Sequence, residues 1–271
     1  MEHGAPLITL TTDFGLNDPY VGQLKGTLLS CCPTATIIDL SHAVPAWDLL
    51  AAAIVIHSSY AYFPPATVHL IVVDPGVGSS RNIVAAQGEG HFFVCPDNGI
   101  LSLLLAEDKI EAACIINYPT MGAGAVSPTF HGRDIMAPVA ATLAQGRAIS
   151  ELGDERAPVC LQRLPPWQPQ RIDLGWQGRV LGIDHFGNLR TSIRAQDLPE
   201  QGGFIALEIN GQCLERLVTT YSEIPDGAPA VLIDSCGFLE IAANQGSAAQ
   251  LVGGATGDLV TVHCVHPPHY L

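Results

Sequence analysis

Asp74 and Arg81 stand seven residues apart across the run Val73-Asp74-Pro75-Gly76-Val77-Gly78-Ser79-Ser80-Arg81, which closes an apolar, β-branched stretch. A glycine-rich turn at a strand end is where open α/β folds build their sites. A carboxylate and a guanidinium placed there can orient a nucleophile and take its proton, or can pair simply to stiffen the loop. Thr129-Phe130-His131-Gly132-Arg133-Asp134 is a second polar element, with His131 at or just before a predicted helix N-terminus. If Asp74, Arg81 and His131 meet, they form a charged triad able to activate water with no metal.

Other polar runs are more ambiguous. Gly76-Val77-Gly78 departs from a dinucleotide fingerprint because Arg81 takes the sixth position and no helix clearly follows, so a plain tight turn is the better reading. Gly182-Ile183-Asp184-His185-Phe186-Gly187-Asn188 fits either a barrel-corner turn or an amine- and purine-binding loop. The same two readings apply to Ser235-Cys236-Gly237-Phe238-Leu239-Glu240 with Asn244-Gln245-Gly246-Ser247-Ala248. Asp97 and Asn98 read as turn residues, and His57 and His69 as surface positions of a helix and a strand. The run His263-Cys264-Val265-His266-Pro267-Pro268-His269 holds metal-ligand types, but a last strand or a frayed tail explains it as well, so no metal is assigned.

These residues need elements to position them. In the first half, short β-branched runs alternate with helical stretches, which predicts parallel strands joined by crossover helices. Strands are expected at 7–10, 36–39, 67–73, 83–86, 91–94 and 112–116, and helices at 20–30, 47–60, 101–105 and 135–144. Asp13, Asp39 and Asp74 then stand at three strand ends, and Pro138 must sit in the first turns of its helix or kink it. Arg163-Leu164-Pro165-Pro166-Trp167-Gln168-Pro169 suggests a linker. Beyond it, strands at 178–183, 204–209, 230–233, 238–242 and 258–262, with an Asn210-Gly211 hairpin turn, predict a small antiparallel barrel or sandwich. The division is an α/β domain with a mostly parallel sheet over 1–162, a proline-rich linker over 163–175, and a small all-β, barrel-like domain over 176–271.

Composition narrows the partners. The 271 residues are 48% hydrophobic, enough for two cored domains. Twelve basic against 26 acidic residues give a formal net charge of −14, which repels nucleic acid and anionic membrane and favours a small-molecule partner. The N-terminal residues lack a basic region followed by an apolar core, and no apolar run reaches the roughly 20 residues of a membrane span, so a soluble cytoplasmic protein is expected. Eight scattered cysteines form no Cys-x-x-Cys pair, and most are expected as buried reduced thiols.

Taken in order, the blocks resemble the S-adenosyl-L-methionine hydroxide adenosyltransferases, adenosine-forming hydrolases similar to fluorinase and chlorinase. The resemblance runs through Thr12-Asp13-Phe14-Gly15 with Asp18-Pro19-Tyr20-Val21-Gly22, Trp47-Asp48, Asp74-Pro75-Gly76-Val77-Gly78 and Pro96-Asp97-Asn98-Gly99. It continues through Thr129 to Asp134, Asp184-His185-Phe186-Gly187-Asn188 and Asn244-Gln245-Gly246-Ser247, nearly the whole chain. It implies hydrolysis of S-adenosyl-L-methionine at ribose C5′ to adenosine and methionine, with no cofactor, in a homotrimer whose sites lie at subunit interfaces. By the same likeness Asp13 binds the ribose hydroxyls, Trp47 flanks the sugar, Asp184 holds the methionine ammonium, and Phe186 and Asn188 stack on and hydrogen-bond the adenine. Ser235 and Phe238 complete the purine pocket. The halogenases of the superfamily resemble this chain except for a tyrosine and a threonine where it has Asp74 and Val77, and a long insertion that it lacks. A carboxylate repels a halide but accepts a proton from water, so hydrolysis stands ahead of halogenation and of a non-catalytic nucleoside-binding module.

Overall fold

The β-branched runs of the first half form a seven-stranded sheet in the unit Met1–Leu164. The computed structural model describes residues 5–117, 125–199 and 203–264. The strands are β1 (Leu7–Thr12), β2 (Thr36–Ser41), β3 (Val68–Val72), β4 (Ile83–Gly88), β5 (His91–Pro96), β6 (Ala112–Ile116) and β7 (Gly153–Arg156), in the order β2-β1-β3-β5-β4-β6-β7. Helix α1 (Tyr20–Cys31) connects β1 to β2, and α2 (Leu49–Ser59) connects β2 to β3, so β2, β1, β3 and β5 run parallel. The sheet as a whole is mixed, which corrects the expectation of a mostly parallel one, because β5–β4, β4–β6 and β6–β7 are antiparallel. The reason is local: Glu89 and Gly90, at φ 48° and 79°, form a two-residue turn that can only return the chain antiparallel.

Alternation along β3 divides two cores. Leu70 and Val72 face the layer of α1 and α4 (Ala137–Ala144), while Ile71 and Val73 face that of α2 and α3 (Ser102–Ala106). All of these strand residues are essentially inaccessible to water. By that parity Asp74, two residues beyond Val72, emerges on the α1/α4 side. Ahead of α4 the chain winds as a π-helical turn, Gly132–Met136, closed by the Ala137 N–H on the Gly132 carbonyl. Pro138 lies in the first turn of α4, the first of the two expected alternatives, and the wider winding upstream suits a residue that has no N–H to give a regular helix.

The second unit, Pro165–Leu271, is an antiparallel sheet with a small helix, α5 (Ala248–Val252). Its strands are β8 (Gln170–Ile172), β9 (Gly175–Ile183), β10 (Leu189–Arg194), β11 (Phe204–Ile209), β12 (Gln212–Leu214), β13 (Pro229–Ile233), β14 (Phe238–Ala243) and β15 (Leu259–Cys264). They run β12-β11-β15-β9-β10-β14-β13, and the end strands β12 and β13 approach each other, making the sheet barrel-like and nearly closed. The expected linker is only partly a connector, since Gln170–Ile172 pairs with the start of β9. His263 and Cys264 alternate along β15, His263 beside Glu208 at 3.3 Å and Cys264 buried; the rest of the histidine-containing tail lies outside the described residues. The cysteines are all free, but only four are buried, and Cys31, Cys160 and Cys213 are exposed. Among the described residues no helix is long and apolar enough to cross a membrane.

Candidate active site

Asp74, Arg81 and His131 meet. Arg81 Nε donates to Asp74 Oδ1 and Oδ2 at 2.9 and 3.0 Å, and Arg81 Nη2 donates to Asp74 Oδ2. The same Nη2 lies 2.9 Å from His131 Nδ1. An arginine nitrogen only donates, so Nδ1 accepts and the neutral imidazole carries its proton on Nε2. Burial pushes the His131 pKa down and the Arg81 charge pushes it further, with Asp74 and Asp134 opposing, so the ring is neutral at pH 7.

The glycines of the opening turn serve this pairing and cradle no phosphate. A Cβ on Gly76 would lie 3.3 Å from Arg81 Cγ, so its absence leaves room for Arg81 to fold back onto Asp74. Gly78 combines φ +79° with a backbone approach of 2.6 Å from a Cβ position to the Pro128 carbonyl, which brings this turn against the segment that leads to His131. From the far side, Asn98 Nδ2 donates to the Val73 carbonyl at 3.0 Å, which gives the expected turn at Asp97 and Asn98 a supporting role.

A cleft of about 280 Å3 opens beside the triad, lined by Asp74 and His131 together with Asp13 and Trp47. The Trp47 N–H donates to Asp13 Oδ2 at 2.9 Å. Trp47 has φ 66°, a left-handed conformation that costs a non-glycine residue about 1 kcal/mol and concentrates at functional sites. The expected helix start at Trp47 falls instead at Leu49, with Asp48 as N-cap accepting the Ala51 N–H, so Trp47 is freed to turn outward and is 71% exposed. Asp39 does not join this site. It lies within β2 and is bonded to Lys25 at 2.7 Å.

Sequence reasoning missed the apolar wall. Phe14, Tyr20 and Phe130 pack edge to face with centroids 5.6 to 5.9 Å apart, and Arg133 covers Phe130 at 4.9 Å. Each belongs to a motif already singled out, but only the folding of β1, α1 and the segment before the π-helical turn brings them together. Gly132 completes the wall: a Cβ there would stand 2.7 Å from Val72 Cγ1. Gly132→Ala is therefore expected to displace His131 and to destabilise by about 1–3 kcal/mol, with turnover at this site falling more than about tenfold. Thermal unfolding beside an activity assay checks both effects.

In the second unit, Asp184 builds its own loop. Its Oδ1 accepts the Phe186 and Asn188 N–H groups at 2.9 and 2.8 Å, and its Oδ2 accepts Asn188 Nδ2 at 3.1 Å. Phe186 is left 74% exposed, while Asn188 is buried and its Oδ1 has no hydrogen-bond partner among the described residues. Ser235 is exposed at the tip of a turn that Asp234 closes by accepting the Cys236 and Phe238 N–H groups. Phe238 points inward, 1% exposed, with the Arg194 guanidinium 4.4 Å from its ring centre. Nearby Glu240 is buried, receives the Tyr221 hydroxyl at 2.9 Å, and has its pKa raised by burial and by Asp234 and Asp184.

A parallel-strand end bearing a carboxylate–guanidinium–imidazole triad, an adjoining cleft of about 280 Å3 and a separate antiparallel unit define a two-domain enzyme class. The N-terminal and C-terminal domain models of the SAM hydroxide adenosyltransferases match residues 8–153 and 178–261. The chain belongs to the SAM hydroxide adenosyltransferase family. It is 39% identical over 249 residues, 89% of this chain and 93% of the relative, to an (R)-S-adenosyl-L-methionine hydrolase of Thermus thermophilus. A fluorinase of Actinoplanes sp. is 31% identical, with 96% of this chain and 98% of the relative covered. A crystal structure of a conserved Thermotoga maritima protein superposes with a TM-score of 0.86 at 32% identity, covering 94% of this chain and 99% of that one.

Proposed function

We propose that the protein hydrolyses S-adenosyl-L-methionine at ribose C5′, releasing adenosine and L-methionine. The observation that carries this reading is the Asp74–Arg81–His131 triad, whose Asp74 and His131 line the same cleft as Asp13 and Trp47. Water attacks C5′ in line with the C–S bond. As C–O forms and C–S breaks, the sulfonium becomes a neutral thioether and one water proton must leave. The leaving group needs no acid, so the work falls on the nucleophile. His131 Nδ1 is taken by Arg81, and its neutral ring keeps a hydrogen on Nε2, which leaves the Asp74 carboxylate as the proton acceptor. Arg81 holds that carboxylate in place, and His131 holds Arg81. Attack by a nucleophile turning anionic on a sulfonium neutralises charge, so the aromatic wall of Phe14, Tyr20 and Phe130 favours the step by excluding water.

Asp13 takes the ribose hydroxyls and Trp47 flanks the sugar. Asp184, with Asp234 and Glu240 nearby, supplies a negative environment for the methionine ammonium. Phe186 offers an exposed ring for stacking, and Asn188 Oδ1, without a partner among the described residues, fits an adenine amino group. Ser235 lies at the rim of that pocket, with Phe238 supporting it from inside the unit. The reaction needs no cofactor or metal in this reading. A homotrimer with sites at subunit interfaces is part of it, supported by Leu16, Trp47 and Phe186, which are each more than 70% exposed and call for a cover.

Purified protein in chloride buffer containing EDTA, given S-adenosyl-L-methionine, is expected to release adenosine and methionine in equal amounts on liquid chromatography. A 5′-chloro-5′-deoxyadenosine product would transfer the chain to the halogenases. Intact substrate at high enzyme concentration would leave only nucleoside binding, and EDTA-sensitive turnover would remove the metal-free mechanism.

A further inference from the structure

Next to the Asp13 loop lies a second series of polar contacts that the proposed step does not use. His42, 6% exposed, stands between Thr12 and Asp39, with Nδ1 2.8 Å from Thr12 Oγ1 and Nε2 3.0 Å from Asp39 Oδ1. Burial pushes the Asp39 carboxyl up, but Lys25 and His42 more than offset it, and the net shift is downward, so Asp39 is charged and only accepts. Nε2 faces the Asp39 carboxylate at ion-pair distance but without hydrogen-bond geometry, while Nδ1 and the Thr12 hydroxyl share a hydrogen bond. Thr12 Oγ1 in turn accepts the Phe14 N–H at 3.3 Å, and the His42 carbonyl accepts the Gly15 N–H at 2.8 Å. His42 thus grips the loop after β1 at two points. Five residues later its own segment delivers Trp47, whose N–H binds Asp13 from a left-handed backbone.

We infer that His42 is a positioning residue for the reaction: anchored by Asp39 and Lys25, it fixes the 12–15 loop against the 42–47 loop and so holds the Asp13 carboxylate where ribose hydroxyls meet it. The identity of that ligand rests on the hydrolase reading, whereas the mechanical linkage rests on the bonds alone. The left-handed Trp47 costs about as much as one hydrogen bond contributes, so the Trp47–Asp13 contact persists only while neighbouring bonds hold both loops.

Side-chain length separates this role from simple filling of buried space. Asparagine at position 42 places an amide near Nδ1 and keeps the Thr12 bond, while glutamine reaches the place of Nε2 and keeps only the contact with Asp39. Loss of one charged hydrogen bond to the ribose predicts that His42→Gln and Thr12→Val raise KM for S-adenosyl-L-methionine about tenfold with kcat within about threefold, and that His42→Asn stays within about threefold of the parent in both. If filling space were the role, glutamine, nearer to histidine in size, would be the milder change. That order, or a loss confined to kcat, overturns the inference. A crystal structure of the His42→Gln protein decides independently of turnover: the Trp47 N–H is expected to have left Asp13, and an unchanged 2.9 Å contact overturns the inference. If the parent protein releases no adenosine, the hydrolase reading fails while this structural comparison still decides the positioning role.

Discussion

Asp74→Asn is expected to lower adenosine formation by about 10³-fold while adenosine affinity stays within about threefold. The substitution keeps size and removes the one group in the triad that can accept a proton. Its amide nitrogen also turns a donor toward Arg81, which already donates to Asp74 through Nε and Nη2. Asp74 is one of the groups that hold the His131 pKa up, so its loss lowers that pKa further and leaves a neutral ring beside an unpaired guanidinium. The ring then offers no compensating charge. Because breaking a buried ion pair can cost about 3–5 kcal/mol, thermal unfolding must accompany the assay. Asp74→Glu, which keeps the charge but moves it by one methylene, should recover folding and only part of the rate. Calorimetry with adenosine and single-turnover chromatography separate binding from chemistry. An Asp74→Asn protein that binds adenosine and still turns over at more than about a tenth of the parent rate would show that water needs no base here.

The sheet directions were the part of the fold hardest to read from residues. β-branched runs locate β1, β2 and β3, and the alternation with helices gives their parallel pairing. Periodicity carries no direction, however, and the Glu89-Gly90 turn that reverses the sheet was passed over, although a two-residue connection between two apolar runs is a hairpin signal. In the second unit β10 escaped notice because Thr191 and Ser192 sit in its middle, wholly buried. They are tolerated because their hydroxyls accept the Ile193 and Arg179 N–H groups, a pairing no local pattern announces.

The site divides along the same line between local and long-range information. Asp74 and Arg81 share one turn, and glycine spacing makes their pairing readable. His131 reaches them only because the parity of β3 and the π-helical turn before α4 fall on one side of the sheet. Trp47, Asp184 and Asn188 entered through family resemblance, since nothing in their spacing distinguishes a ligand contact from turn chemistry. His69, expected at a strand surface, is completely buried, because β3 lies inside the sheet and the face His69 shares with Ile71 and Val73 is covered by α2 and α3.

That burial makes acid the weak point of the first unit. His69 Nδ1 lies 2.7 Å from the Thr9 hydroxyl, Nε2 lies 3.3 Å from His91 Nδ1, and its ring stacks on Phe93 at 5.2 Å. Burial pushes the His69 pKa down to about 3, with His91 adding to the shift, and burial also lowers that of His91 against the pull of Glu89. The folded state therefore keeps His69 neutral where the unfolded chain, titrating near 6.5, takes up a proton. Stability from this group is fully present above about pH 6.5 and falls as pH drops toward about 3, with a limiting slope of about 1.4 kcal/mol per pH unit for each proton. Over that window the loss amounts to a few kcal/mol, a large share of an ordinary domain's stability. Guanidinium unfolding from pH 7 to pH 4 should show the transition of the first unit moving to lower denaturant in the parent protein. His69→Gln keeps polar groups within reach of Thr9 and cannot charge, so its curve should be flatter by about one proton over the same range, although lower at pH 7 for the packing against Phe93 that it gives up. Parallel curves for the two proteins would mean that the acid sensitivity arises elsewhere.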